Sequence, residues 1–174
     1  MLTTAASCQF YEVRPDEFEF VHEMAGRLMR YEVCTADTFR AVQAIQRGSS
    51  MCLREDGIIT GVFGILLLRQ SAVATLLSGA FDGVDIDLDL LSRPEETPAI
   101  GYAWGVAATT RIAGAAITQF GQLLCAGPLN RIPFITKAVT EAGRRVAISR
   151  MGYRPLRGPD DDLLINGALP LVAA

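Results

Sequence analysis

Val106-Ala107-Ala108-Thr109-Thr110-Arg111-Ile112-Ala113-Gly114-Ala115-Ala116 is the stretch on which the reading of this chain turns. A strand ends in it, a turn of small residues follows, and a helix begins. Such a junction points unpaired backbone N–H groups outward at the positive end of a helix dipole, an arrangement that favours a phosphate or pyrophosphate. Ala113, Gly114, Ala115 and Ala116 are small enough to let a ligand reach the amides. The Gly-Lys-Ser/Thr of a nucleotide-hydrolysing loop is missing, as are the three glycines of a dinucleotide-binding turn. The same small residues also suit a helix packed close on a sheet, so the stretch alone leaves both readings open.

Working outward, residues 99–108 read as a strand carrying Tyr102, Trp104 and Val106, and Ile117, Phe120, Leu123 and Leu124 continue the helix that follows. Upstream, Ile58–Leu68 is apolar without alternation and reads as a central strand covered on both faces. Glu55-Asp56-Gly57 makes a hairpin turn to a strand over 50–54. Two amphipathic helices are expected over 18–30 and 36–45, the second stopping by Gly48, behind a first strand at 10–14. Between them and the quoted stretch, 72–77 reads as an extension or an added strand. Asp85-Ile86-Asp87-Leu88-Asp89-Leu90 alternates as an exposed edge strand would. Downstream come a strand over 131–139, a helix over 141–151 closed by a glycine cap at Gly152, and two final strands at 153–156 and 163–168. The order predicts one α/β domain with a mixed sheet over residues 1–174.

Composition bounds the rest. With 174 residues, 50% hydrophobic, 20% charged and a net charge of −3, the chain can bury a core without disulfides and is not disordered. An acidic balance in which Lys137 is the only lysine argues against nucleic-acid partners. Cys8, Cys34, Cys52 and Cys125 show no paired spacing and His22 is the single histidine, so no metal site is expected and histidine-activated nucleophiles have little support. His22 reads as an ordinary helix histidine. No leader pattern opens the sequence, and the longest apolar run, Ile58–Leu68, is too short to span a bilayer. The expected setting is cytoplasmic and reducing, with no membrane contact.

The quoted stretch resembles the acyl-coenzyme A motif of the GCN5-related N-acetyltransferases, Arg/Gln-x-x-Gly-x-Gly/Ala after the fourth strand: Val106, Arg111, Gly114 and Ala116 fall in its register. Cys52-Leu53-Arg54-Glu55-Asp56-Gly57-Ile58 onward looks like the family's second and third strands, and Ala147-Ile148-Ser149-Arg150-Met151-Gly152-Tyr153 like its last helix and following strand. The resemblance implies a mostly antiparallel sheet flanked by helices, with 69–98 as an insertion between the third and fourth strands. It implies an acyl-CoA, acetyl-CoA or another, whose pyrophosphate sits on Arg111, Ile112, Ala113, Gly114, Ala115 and Ala116 behind Val106. The acceptor would be a small-molecule amine or a protein amino group attacking the thioester directly.

The sequence also departs from the family. The position of its usual general-acid tyrosine is Ile148, Tyr153 matches its structural aromatic, and residues 101–108 contain no acid. Tyr102 and Glu141 are the nearest candidates for catalysis; their ordinary roles would be a packed strand aromatic and a helix N-terminal carboxylate. Two functions therefore stand side by side, an acyl-CoA-dependent N-acyltransferase and a non-catalytic module of the same fold that binds acyl-CoA or a protein partner. An unrelated α/β scaffold is the third. The acidic segment 82–89 suits a cationic acceptor or is solvated surface, and the apolar tail 163–174 suggests a strand exchanged or packed in a homodimer.

Overall fold

A computed structural model describes residues 8–29 and 31–169. Seven strands, β1 (Cys8–Glu12), β2 (Ser50–Glu55), β3 (Ile58–Leu68), β4 (Ile100–Ala108), β5 (Phe134–Lys137), β6 (Arg154–Pro155) and β7 (Leu163–Asn166), form one sheet in the order β1-β2-β3-β4-β5-β7-β6. Only β4 and β5 run parallel; every other pair is antiparallel. Helices α1 (Phe18–Met29) and α2 (Ala36–Ile45) cover one face, joined there by the short α3 (Ala72–Ser78). Helices α4 (Arg111–Ala126) and α5 (Glu141–Met151) cover the other.

The elements follow from their sequences. β3 is buried along most of its length because both faces are covered: Val62, Leu66 and Leu68 pack toward α1–α3, Phe63 and Ile65 toward α4. The β2–β3 turn puts Asp56 at φ 50° and Gly57 at φ 85°, the paired positive values of a type I′ hairpin. Helix α2 starts at Thr35, whose hydroxyl accepts from the Thr38 amide at 3.1 Å, and α5 ends on Gly152 at φ 73°. His22 is satisfied through a 2.9 Å bond between its Nδ1 and the Cys34 carbonyl.

Two expectations upstream of β4 fail. Residues 72–77 belong to the helix α3: Ala72, Val73 and Leu76 are buried on one side, and Gly79 closes it at φ 80°. A run of about two turns carries too few periods to be told from a strand. The acid-apolar alternation of 85–90 is not an edge strand either, but a loop ending in a 3-10 turn, Leu88–Leu90. Its acids bond their own backbone: Asp82 Oδ1 accepts from the Val84 amide at 2.7 Å and Asp87 Oδ1 from the Asp89 amide at 3.0 Å. Ile86 and Leu91 are buried beneath. At the other end, β7 lies between β5 and β6; residues 170–174 of the apolar tail lie outside the described set.

One buried ion cluster fastens α1 to the sheet edge. Glu17, its side chain only 7% exposed, accepts from the Arg14 guanidinium at 2.7 Å and the Arg14 amide at 3.1 Å, and pairs with Arg54, which bonds the Tyr11 hydroxyl. Burial alone would raise the Glu17 pKa; the Arg14 hydrogen bonds and the charges of Arg14 and Arg54 outweigh it and hold the carboxyl below its ordinary value. A depressed carboxylate stabilises fully above its unfolded pKa of about 4.3 and loses that contribution as pH falls. Glu17→Gln should cost about 1–3 kcal/mol at neutral pH in urea unfolding. The difference from the native chain should shrink below about pH 4, and an equal loss at acid and neutral pH would rule the ionic account out.

Candidate functional site

The site begins where β4 and β5 part. They pair at only three positions, Gly101 with Phe134, Tyr102 with Ile135 and Ala103 with Thr136. The Thr136 hydroxyl donates to the Ala103 carbonyl at 3.0 Å as a last link. Beyond it β5 stops at Lys137, while β4 runs on to Ala108 paired only with β3. The outer backbone edge of residues 104–108 is therefore left without a strand partner.

A bulge decides what that edge presents. Gly64 pairs with Gly105 and Ile65 with Ala103, so Trp104 is an extra residue on β4. Tyr102 and Trp104 face α1–α3; past the bulge the alternation reverses, and Val106 and Ala108 face α4 and α5. Tyr102, Trp104 and Val106, which alternate together in the sequence, thus end on opposite sides of the sheet.

On the α4 and α5 side lies a cleft of about 850 Å³, with Ala103, Val106, Ala108 and Thr136 on its floor and small residues of both helices on its walls. The turn leading into α4 is pinned: the Thr109 amide and hydroxyl donate to the Thr60 carbonyl at 2.8 and 3.1 Å. Thr110 is the N-cap, its Oγ1 accepting from the Ala113 amide at 3.0 Å and donating to Glu55 at 2.8 Å, while its carbonyl accepts from Gly114 at 3.0 Å. The amides of Arg111 and Ile112 have no acceptor among the described residues.

The seven residues singled out for the coenzyme, Val106 and the six from Arg111 to Ala116, are placed differently. Val106, Arg111, Gly114 and Ala115 line the cleft. Ile112 is 58% exposed, Ala113 is fully buried against the sheet, and Ala116 packs partly into the same core. A cradle built from all six consecutive amides is corrected by the helix itself, which uses the N–H groups beyond Ile112 for its cap and first turns. The close-packing alternative is separated as well. A Cβ on Gly114 would meet only the Ala108 Cβ, at 3.9 Å, so packing does not require this glycine; the close approach of α4 occurs at Gly61, whose Cβ would stand 2.5 Å from Ile117 Cδ1.

Of the residues proposed for catalysis, Tyr102 and Glu141 line no common cleft. Glu141 is exposed in the first turn of α5, whose N-cap is Thr140, and its side chain lines neither pocket. Ile148 is 40% exposed and lines neither. Tyr102 is 7% exposed and opens onto a second cleft of about 320 Å³ on the α1–α3 side. Its walls are Phe39, Phe81, Trp104 and the α1–α2 connection with Tyr31 and Glu32, with Asp82 and Lys137 also lining it. The Trp104 indole donates to the Gly83 carbonyl at 2.7 Å, and Phe81 packs on Tyr102 with ring centroids 5.0 Å apart, so the 79–84 loop is held over this cleft. Burial, with the charges of Asp162, Tyr31 and Asp82, pushes the Tyr102 pKa to about 12, which keeps the hydroxyl protonated. Met29 and Val139 line both clefts, one from each side of the gap where β4 and β5 separate.

Nothing in the sequence marks the second cleft. Tyr31, Glu32, Phe81 and Lys137 come together only through tertiary structure, and none stands in a motif. Among the described residues no helix is long and apolar enough to cross a membrane.

No protein-family model matches the sequence and no curated protein matches it. Solved structures do. A GCN5-related N-acetyltransferase from Ralstonia eutropha matches with TM-score 0.51 at 17% identity, over 96% of this chain and 100% of the other. The Corynebacterium glutamicum structure named histone acetyltransferase HPA2 and related acetyltransferase matches with TM-score 0.51 at 16% identity, over 94% and 98%. A GphF GNAT-like decarboxylase in complex with isobutyryl-CoA matches with TM-score 0.51 at 14% identity, over 80% and 71%. The strand order, the single parallel pair and the coverage of these matches agree: this chain is a sequence-divergent protein with the fold of the GCN5-related N-acetyltransferases.

Proposed function

We propose that residues 1–174 act as one acyl-CoA-dependent N-acyltransferase domain, taking acetyl-CoA or another acyl-CoA from the α4–α5 side and an amine from the other. The observation that carries the reading is the unpaired β4 edge, flanked by the N-terminus of α4 and open to a cleft on each face of the sheet. The free amides of Arg111 and Ile112, at the positive end of a 16-residue helix, receive the pyrophosphate, with the Arg111 guanidinium beside them. The 104–108 edge offers N–H and C=O groups to the pantetheine amides, as a strand would. That places the thioester near the Trp104 bulge, where an amine in the second cleft can reach it.

The chemistry needs orientation more than a covalent intermediate. The amine nitrogen bonds to the acyl carbon, the carbon–sulfur bond breaks, the coenzyme leaves as a thiolate, and the proton lost by nitrogen passes to water or to the carboxylates at the rim. Tyr102, protonated at any working pH, serves as a hydrogen-bond donor to the developing negative charge and not as a base. Glu141 receives no part. The non-catalytic reading keeps two observations in its favour: no acid stands on 101–108, and Ile148 lies outside both clefts.

Thermal unfolding with and without acetyl-CoA and longer acyl-CoAs tests the donor site, and thiol release from acetyl-CoA across amines tests the reaction. Stabilisation with turnover is expected, and no stabilisation by any acyl-CoA would overturn the donor site. Tyr102→Phe should lower kcat about 10- to 100-fold with the coenzyme-induced shift unchanged; an unaltered kcat would remove Tyr102 from the mechanism.

A further inference from the structure

The second cleft is specific enough in shape and charge to name what it takes. We infer that the acyl acceptor is a small primary amine, drawn in as its cation, which gives up one proton to water before its neutral nitrogen attacks, and carried on an apolar or aromatic group with no carboxylate of its own. This rests on the acyltransferase reading above and narrows its acceptor.

At about 320 Å³ the cleft is at the small end of cavities that enclose small molecules, too small for a folded segment of a protein substrate. Its depth is aromatic. Phe39 and Trp104 pack with centroids 4.6 Å apart, Phe81 lies on Tyr102, and Val62 and Val33 fill between them. Such walls bind a flat or branched apolar body and leave the second and third ammonium groups of a polyamine without partners. Polar features are few. The Tyr102 hydroxyl, on a side chain more than nine-tenths buried, has no hydrogen-bond partner among the described residues although it opens onto the cleft. A hydroxyl on the cleft wall that no protein group engages is free to meet a polar atom of the occupant.

The charges at the rim select the sign. Glu32 and Asp82 are exposed, line the mouth and enter no ion pair among the described residues. Lys137, the one cation lining the cleft among the described residues, has its Nζ 3.7 Å from Asp162 and is paired there. A cation is therefore attracted at the mouth, whereas the carboxylate of an amino acid would meet two like charges and a lysine already engaged. Tyr31, exposed and lining the same cleft, offers an aromatic ring to an ammonium group.

Trp104 makes the test direct, because it is the only tryptophan in the chain and lines the cleft. Its emission is titrated with phenethylamine, its neutral counterpart phenethyl alcohol, its carboxylated counterpart phenylalanine, and spermidine, each with and without free coenzyme A. Phenethylamine is expected to bind at least about tenfold more tightly than each of the other three, and to rank first in kcat/KM by thiol release. Asp82→Asn keeps the Oδ1 that caps the Val84 amide, so the loop should hold. That variant and Glu32→Gln should each weaken phenethylamine several-fold and leave phenethyl alcohol unchanged. Equal or tighter binding of phenylalanine or spermidine, or no emission change with phenethylamine in either condition, would overturn the inference. Acyl-CoA stabilisation is read separately by thermal unfolding, so loss of that response sinks the donor site, and loss of the amine ranking sinks only the acceptor class.

Discussion

Replacing Gly114 with glutamate should erase the stabilisation by acyl-CoA while leaving the protein folded and as stable as before, or slightly more so. A ligand present at a hundredfold its dissociation constant stabilises the native state by about 2.7 kcal/mol. For a chain of this length that corresponds to a Tm rise of roughly 5–10 °C. The glycine lines the cleft beside the free amides of Arg111 and Ile112, and its position has room: the nearest atom to an added Cβ is the Ala108 Cβ at 3.9 Å. Glycine in a helix costs about 1 kcal/mol relative to a good helix former, and a carboxylate in the first turn is favoured by the dipole, so the apo variant loses nothing. The same carboxylate lies where the pyrophosphate must go and repels it. Gly114→Ala, which adds volume without charge, should retain most of the response. A coenzyme-induced shift of native size in Gly114→Glu would place the phosphate site elsewhere.

The largest structural penalty is expected at Gly101, where the sheet makes its one parallel junction. A Cβ there would stand 2.3 to 2.7 Å from three carbons of the Phe134 ring. Neither partner can retreat freely, because Gly101 is paired with Phe134 across the strands and its amide donates to the Pro133 carbonyl at 2.8 Å. Overpacking of this kind costs about 1–3 kcal/mol or more, so Gly101→Ala should lower Tm by several degrees. Gly105→Ala, four residues along the same strand, meets nothing within 4 Å and should leave Tm within about 1 °C. Phe134→Leu should recover part of the Gly101→Ala loss by vacating the ring position, a coupling that a double-mutant cycle measures. If the two glycine variants lose equal stability, the ring contact is not what demands Gly101. The junction matters to function because the three β4–β5 pairs set where the strands part, and the unpaired edge begins one residue later.

Both variants act on the α4–α5 side of the sheet, and the cleft on its other face has different walls. It is built from the α1–α2 connection, the 79–84 loop and the inward face of β4, and is tied together by the Trp104–Gly83 bond. The segment between β3 and β4, which reads as surplus in the sequence, supplies Phe81 and Asp82 to it. Its acidic run is divided in role: Asp87 caps a turn, while Asp82 both caps a turn and faces the cleft.

By itself the sequence determined the elements whose signals are local. The apolar run Ile58–Leu68 could only be a strand buried on both faces, Asp56-Gly57 only a tight hairpin, and Gly152 only a helix end, because each depends on the residue's own conformational limits or on burial along a single element. The strand-turn-helix junction at 106–116 was legible for the same reason. What the tertiary structure decided is everything set by pairing between distant residues. The insertion of Trp104 into the β3–β4 ladder reverses the faces of Tyr102 and Val106, and the arrest of β5 at Lys137 leaves the β4 edge open. A seven-residue helix, Ala72–Ser78, stands where 72–77 reads as strand, because burial against the sheet, not its short pattern, fixes its conformation. Tyr102 stands as the clearest case: its identity as a strand aromatic follows from alternation, but its buried ring and protonated hydroxyl on a second cleft follow from what packs over it.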